Sequence, residues 1–318
     1  MEKKIVLILG HKGMLGQELT QAFSSDEQYA VLAWDKGDID ITDFTLLEQK
    51  LAALHPHLVI NATGYNAVDL CEKDDEEYAK ALLLNRDVPN FLAQMSLKQD
   101  FLLVNYSSDY VFDGALEENK AKNGCCGGGC CGVNPLSSPG VEVGYNEEAL
   151  PEPLSRYGES KYAGERAIIA QAKQYYVVRL SKLFGRSGTA PGAKQSFFEI
   201  MLAAAKVKPE VQVVDSEKSC FTYAPDLAAA TKELVESESA PGIYHLPNSG
   251  SATWYEAAVE LFESAHINVT VTPVGSEVFP RPAKRPRCSV LLNTKRPPLR
   301  PYQEALKEYL SHSFYSQA

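Results

Sequence analysis

Short apolar runs alternate with longer amphipathic stretches through the first 180 residues of the chain. Residues 5–9 form an apolar run that stops at Gly10, and 16–24 carry helical spacing. The same alternation predicts strands at 29–34, 58–61, 101–106 and 175–180. Between them it predicts helices at 44–54, 76–84 and 88–98, and one opening near Tyr157. Strands that take turns with helices imply a parallel sheet covered on both faces. The expected fold class is therefore α/β, a doubly wound parallel sheet of the Rossmann type. Such sheets bind ligands at the carboxyl ends of their strands.

Past residue 180 the texture changes. Proline-rich stretches such as Phe279-Pro280-Arg281-Pro282 separate short helical segments at 254–265 and 303–310. We expect residues 1–180 to be one domain and 181–318 mainly a smaller α/β domain. A helix over 224–236 is expected to pack back on the sheet, and His245 to end a short strand of the second lobe. Residues 115–143 break the first domain's pattern. Their core, Asn123-Gly124-Cys125-Cys126-Gly127-Gly128-Gly129-Cys130-Cys131-Gly132, is too rich in glycine to build a packed element. The paired cysteines could hold a soft metal, but a mobile, oxidation-prone surface loop is the favoured reading.

Composition narrows the function classes. With 318 residues, 45% of them hydrophobic, the chain can bury a substantial core. A formal net charge of −10 argues against nucleic acid as a partner. The apolar run at the N-terminus is too short to span a membrane and lacks a cleavage-site pattern. Seven cysteines, an odd number, do not resemble a secreted disulfide framework. A cytoplasmic enzyme is the expectation.

Two segments carry chemistry. Gly10-His11-Lys12-Gly13-Met14-Leu15-Gly16 joins the first strand to its helix, as a dinucleotide-binding turn does. Its first glycine permits a tight turn, the second a close approach to pyrophosphate, the third close packing of helix on strand. A plain glycine-rich turn is the blander alternative. Gly10, His11, Lys12, Gly13, Met14 and Leu15 are thus candidate cofactor contacts. Asp35, after the second strand, could bond the adenosine ribose and favour NADH. Lys12 and Lys36 could instead meet a 2′-phosphate, placing NADPH slightly ahead. Asp40 and Ile41 are candidates for the adenine side, and Ala62, Thr63 and Tyr65 for the nicotinamide side. Asn85, polar within an apolar helical stretch, is a further cofactor candidate. The second segment is Tyr157-Gly158-Glu159-Ser160-Lys161. Positions four apart share a helix face, so a phenol and an ammonium can address one spot. A free tyrosine has a pKa of about 10, which a nearby cation lowers.

Together these segments resemble the extended short-chain dehydrogenase/reductases, and more narrowly the dTDP-4-dehydrorhamnose reductase family. The narrower resemblance rests on Tyr106-Ser107-Ser108-Asp109-Tyr110-Val111-Phe112-Asp113-Gly114, on Asn61 through Asp69, and on Thr253-Trp254 and Arg285-Pro286-Arg287. It implies a catalytic set of Ser108, Tyr157 and Lys161, with NADPH or NADH reducing the C4 ketone of a nucleotide-linked 4-keto-6-deoxyhexose. Val68, Asp109, Tyr110 and Lys182 then fall on the substrate side. The family usually has Trp where this chain has Lys182. It also implies room for a homodimer. Some members bind Mg²⁺ between subunits through glutamates, and Glu18 matches one such position. A single carboxylate does not make a metal site, so no metal is expected and Glu18 reads as a solvated helix face. An insertion at 115–143 would lie over the substrate mouth as a lid. Arg281, Lys284, Arg285 and Arg287 read equally as a diphosphate site or a solvated run, and Trp254 as a core anchor. Two alternatives stand beside this reading. One is another sugar-nucleotide reductase or epimerase on the same scaffold; the other is a non-catalytic, cofactor-binding regulatory subunit of methionine adenosyltransferase.

Overall fold

Six parallel strands form the central sheet of the computed structural model, which describes residues 3–116, 142–190 and 192–315. Five belong to the first half: β1 (Lys4–Leu9), β2 (Tyr29–Trp34), β3 (Leu58–Asn61), β4 (Leu102–Ser108) and β5 (Tyr175–Leu180). Their spatial order is β2-β1-β3-β4-β5, with Gly242–His245 on the far edge. The winding reverses between β1 and β3, and β1 pairs in parallel with β2 on one side and β3 on the other. A crevice opens at the carboxyl ends of strands at such a reversal.

Strand β1 shows why the sheet forms here. Val6, Leu7, Ile8 and Leu9 are fully buried, because alternate side chains meet a different layer of helices. Val6 and Ile8 pack with Leu19 and Phe23 of α1 (Met14–Ser24) and with Leu227 and Leu234 of the helix Ala224–Glu236. Leu7 and Leu9 pack on the opposite face with Leu47 and Leu51 of α2 (Phe44–Leu54) and Leu92 of α5 (Val88–Gln99). Helix Ala224–Glu236 does fold back on the sheet, as expected. The strand after it corrects the expectation. Gly242–His245 does not stay in the second lobe; it pairs in parallel with β5, from Gly242 against Tyr176 to His245 against Arg179. The helix is the crossover of a β-α-β unit, which returns the chain to the same sheet.

Two short helices, α3 (Val68–Lys73) and α4 (Asp75–Leu82), precede α5. A widened turn over Leu83–Asp87 joins α4 to α5. Pro89 has no N–H to give the Asn85 carbonyl four residues earlier. That carbonyl instead meets α6 (Arg156–Gln171), where a Cβ on Gly164 would lie 2.0 Å from it. Glycine is what lets α6 lie this close, and α6 carries the Tyr157 segment.

One buried ion pair ties α6 to the sheet. Arg179 of β5 donates to both oxygens of Glu165, at 2.8 and 2.6 Å, and both side chains are 1% exposed. Residues past 180 form their own apolar cluster, rich in rings, around Phe184, Phe198, Phe221, Tyr223, Leu261 and Leu306. No helix among the described residues is long and apolar enough to cross a membrane. Nearly all of 115–143, with its four cysteines and its expected role as a lid, lies outside the described residues.

Candidate active site

A cavity of ≈870 Å³ opens at the carboxyl ends of β1, β3, β4 and β5. At one end stands the glycine turn. Gly10 adopts φ +82°, a left-handed conformation that side chains rarely take. Gly13 caps α1 and its N–H bonds the Gly10 carbonyl at 3.0 Å. A Cβ on Gly16 would fall 2.0 Å from the Gly10 oxygen, so only glycine lets α1 start so close to β1. Gly16→Ala is expected to cost about 1–3 kcal/mol of folding stability, checked by denaturant unfolding.

Gly10, Gly13, Met14 and Leu15 line this end of the cavity. His11 and Lys12, between them in the turn, do not line the wall. His11 turns toward Asp38, 3.7 Å away. Lys12 serves the turn through its backbone, where its N–H bonds Asp35 at 3.1 Å and its carbonyl accepts Thr189 N–H at 2.8 Å. Asp35, Asp40 and Ile41 line the cavity as expected. Asp40 also holds its own loop, accepting Thr42 N–H and hydroxyl at 3.0 and 2.7 Å. These bonds keep its carboxyl below the ordinary range.

Ala62, Thr63, Tyr65 and Val68 follow β3 along the wall. Asn85 stands behind it, not on it. Its side-chain amide accepts Tyr65 N–H at 2.9 Å, donates to the Tyr65 carbonyl at 3.0 Å, and donates to Ser160 at 2.9 Å. Asn85 therefore fixes the loop after β3 against α6, with both amide hydrogens and one lone pair of its oxygen engaged. The buried position was legible in the sequence; the partners were not, because both lie far along the chain.

Ser108, Tyr157 and Lys161 meet on one wall of the cavity. β4 delivers Ser108 at its last residue, and α6 delivers the other two. Ser155 starts α6 by accepting Gly158 N–H at 3.2 Å, which sets the Tyr157 turn in place. The Ser108 hydroxyl accepts Tyr110 N–H at 3.2 Å and donates to Asp109 at 3.1 Å. It thus caps its own turn and faces the cavity as well. The Tyr157 ring packs edge-on against Tyr110, centroids 5.6 Å apart.

Electrostatics correct one expectation. Burial pushes the Tyr157 phenol above its ordinary value, Ser108 pulls it back, and Lys161 is not among its causes. The Lys161 ammonium instead donates to the Tyr106 carbonyl at 3.3 Å and lies against Gly64. Burial brings Lys161 down to about 8. A Cβ on Gly64 would sit 2.9 Å from that ammonium, so glycine keeps the lysine open to the cavity. Burial raises Asp109 to about 6, against hydrogen bonds from Ser289 and Ser108.

Several wall residues were missed by sequence reasoning. Ala190, Lys194 and Ser196 close the cavity from the second half of the chain. Lys194 reaches across to the Asn66 carbonyl at 2.8 Å. No motif marks this segment. Ser181 also lines the cavity, and its place directly after β5 was a usable signal. Trp254 is half-buried; it packs against the second lobe's core, 4.7 Å from the Phe197 ring, and also stands on the cavity wall. Its indole N–H bonds Glu217 at 3.0 Å. Arg281 pairs with Glu217 and Arg285 with Asp69 at 2.6 Å, so these two arginines are neutralised internally. Glu18 is not solvated either; it is 11% exposed and 3.5 Å from Arg186. Among the described residues no cluster of metal-ligating side chains occurs.

The residues present fit a dinucleotide. A Cβ on Gly10 or Gly16 would strike neighbouring protein atoms, so the turn stays tight, and Gly10, Gly13 and the start of α1 face the cavity together. The buried hydroxyls of Ser107 and Ser181, both on the cavity wall, have no partner among the described residues.

The family model described as the RmlD substrate binding domain matches residues 3–314. The chain belongs to this family. Its members include proteins similar to this one over nearly their whole length. The spore coat polysaccharide biosynthesis protein SpsK of Bacillus subtilis is 31% identical, covering 96% of each chain. The dTDP-4-dehydrorhamnose reductase of Streptomyces griseus is 33% identical, covering 95% of this chain and 91% of its own. Among solved structures, dTDP-4-dehydrorhamnose reductase from Bacillus anthracis in complex with NADP superposes with a TM-score of 0.83 at 29% identity. That match covers 98% of this chain and 100% of the other. The family resemblance read from the Ser108 string is thereby shown.

Proposed function

We propose that the protein is a reductase that uses NADPH or NADH to reduce the C4 ketone of a nucleotide-linked 4-keto-6-deoxyhexose, dTDP-4-dehydrorhamnose first among them. One observation carries this reading: Ser108, Tyr157 and Lys161, drawn from two distant segments, share one wall beside the glycine turn. When bound, the dinucleotide supplies the hydride. Gly10, Gly13 and the start of α1 hold its pyrophosphate. Asp35 holds the adenosine ribose, and Lys161 the nicotinamide ribose, with its ammonium bonded to the Tyr106 carbonyl. Ser107 and Ser181 offer unpaired hydroxyls to the same ligand.

At the substrate, the Ser108 hydroxyl bonds the ketone oxygen, where negative charge develops. Tyr157 gives its proton to that oxygen as general acid. Its raised pKa keeps the proton on the phenol throughout neutral pH, the form a donor requires. Asp109 and Tyr110 bound the sugar, and Val68 its far side. NADPH ranks slightly ahead of NADH, since Lys36 lines the cavity beside Asp35 and the Bacillus anthracis reductase is in complex with NADP. The setting is a cytoplasmic route to surface polysaccharide, with a homodimer as the working state.

The purified protein, given dTDP-4-dehydrorhamnose and NADPH, should consume one NADPH per sugar, followed at the nicotinamide absorbance band. An epimerase would regenerate its cofactor and give no net loss, and a regulatory subunit would give none either. The rate should also report Lys161. Its ammonium exists below about pH 8 and is lost above it, so kcat/KM is expected to fall as pH rises through that value. A flat profile from pH 6 to 10 would remove the ammonium from the reaction.

A further inference from the structure

A side cleft of ≈20 Å³ branches from the main cavity and shares Asp109, Tyr110, Lys182 and Trp254 with it. Glu217, Lys218, Ser219, Arg285, Pro286 and Ser289 complete its lining. The volume admits one water-sized group, not a phosphate.

The polar groups around this cleft are unequally satisfied. Asp109 accepts Ser289 at 2.6 Å and Ser108 at 3.1 Å. Glu217 accepts Trp254 at 3.0 Å and also Arg281. Both carboxylates are thus supplied with donors. The cations are not equally supplied with acceptors. Burial lowers Lys182 to about 7, and its protonated form has one hydrogen beyond the two that the carbonyls of Glu217 and Ala252 accept at 3.3 Å. The Nε–H of Arg285 is buried with no acceptor among the described residues, although its terminal nitrogens hold Asp69 at 2.6 and 2.7 Å. Its side chain is only 10% exposed, so solvent does not compensate.

The backbone points the same way. Lys182 adopts φ +38°, a strained setting for a residue with a side chain. The turn carries its ammonium to 4.0 Å from the Trp254 ring and 4.7 Å from Phe221. The cleft mouth also lies one residue from Ser108, since Asp109 bonds that hydroxyl.

We propose that this cleft is a subsite for one oxygen substituent of the hexose, on the ring carbon beside the reacting ketone, read by Lys182 Nζ and Arg285 Nε. The proposal rests on the reductase reading and adds a specificity determinant to it. A site built to bond a hydroxyl rejects the analogue lacking it, because its donors are then left buried and unpaired.

The test compares dTDP-4-dehydrorhamnose with its analogue lacking the hydroxyl at C3, for wild type, Lys182→Met and Lys182→Gln. Wild type should favour the hydroxylated sugar on the order of 10²-fold in kcat/KM, the upper end of what one buried donor left unpaired costs. Lys182→Met should collapse that ratio through KM, and Lys182→Gln, which keeps an N–H, should retain part of it. Thermal unfolding of each variant separates a lost contact from a lost fold. A wild-type ratio near one, or a ratio unchanged in Lys182→Met, overturns the subsite and leaves the cleft to water. Equilibrium binding of the two corresponding reduced dTDP-hexoses gives a readout that needs no turnover. Discrimination in binding without NADPH oxidation would refute the reductase reading and support the subsite. Binding of neither sugar would overturn both.

Discussion

Tyr157→Phe is expected to lower kcat on the order of 10²–10⁴-fold while cofactor affinity stays nearly unchanged. That loss corresponds to about 3–5 kcal/mol of barrier. The reason is local. The phenyl ring keeps its edge-on contact with Tyr110 at 5.6 Å between centroids, so the wall retains its shape. What disappears is the proton that the developing alkoxide must receive. Ser108 can still bond that oxygen, but it can only share its hydrogen with the Asp109 carboxylate beside it. Single-turnover kinetics with NADPH, alongside a binding titration, separate the two effects. A variant that turns over at the wild-type rate would mean that another group supplies the proton.

Arg179→Leu is expected to destabilise the fold by about 3–5 kcal/mol. It would leave the Glu165 carboxylate 1% exposed with its guanidinium removed. Breaking a buried pair costs more than the pair is worth, because the survivor's charge stays desolvated. The double change Arg179→Leu with Glu165→Leu should therefore recover much of the loss. Denaturant midpoints of the three variants check this as a double-mutant cycle. The pair also touches function. Glu165 lies one helical turn beyond Lys161 and holds that lysine's pKa up against burial. Losing the glutamate should make the ammonium easier to deprotonate.

Much of this architecture was legible in the sequence because its signals are local. The buried runs of β1 and β3, the glycine turn after β1, and the string around Ser108 each declare themselves within about ten residues. Parts that depend on distant partners were not legible. Asn85 looked polar and out of place, yet its bonds go to Tyr65 and Ser160. Trp254 reads as a core residue in any pattern of spacing, and only the Glu217 carboxylate and the Lys182 ammonium place it on the cavity. Tyr157 and Lys161 share a face as their spacing predicts. Which carbonyl the lysine would choose depended on Tyr106, which no spacing rule connects to it. The strand Gly242–His245 was recognised as a strand, but its place in the sheet is a property of topology.

That strand has a consequence for how the molecule can be divided. The outermost rung beside β5 comes from beyond the sugar-side lobe's first elements, so the two lobes are threaded through each other and not strung end to end. A fragment ending at residue 180 would lose the helix Ala224–Glu236 from one face of its sheet and expose the whole flank of β5. Bare flanks of that kind recruit neighbouring chains. The cofactor half is therefore not a portable module, and its solubility is supplied by residues encoded some 60 positions after it appears to end.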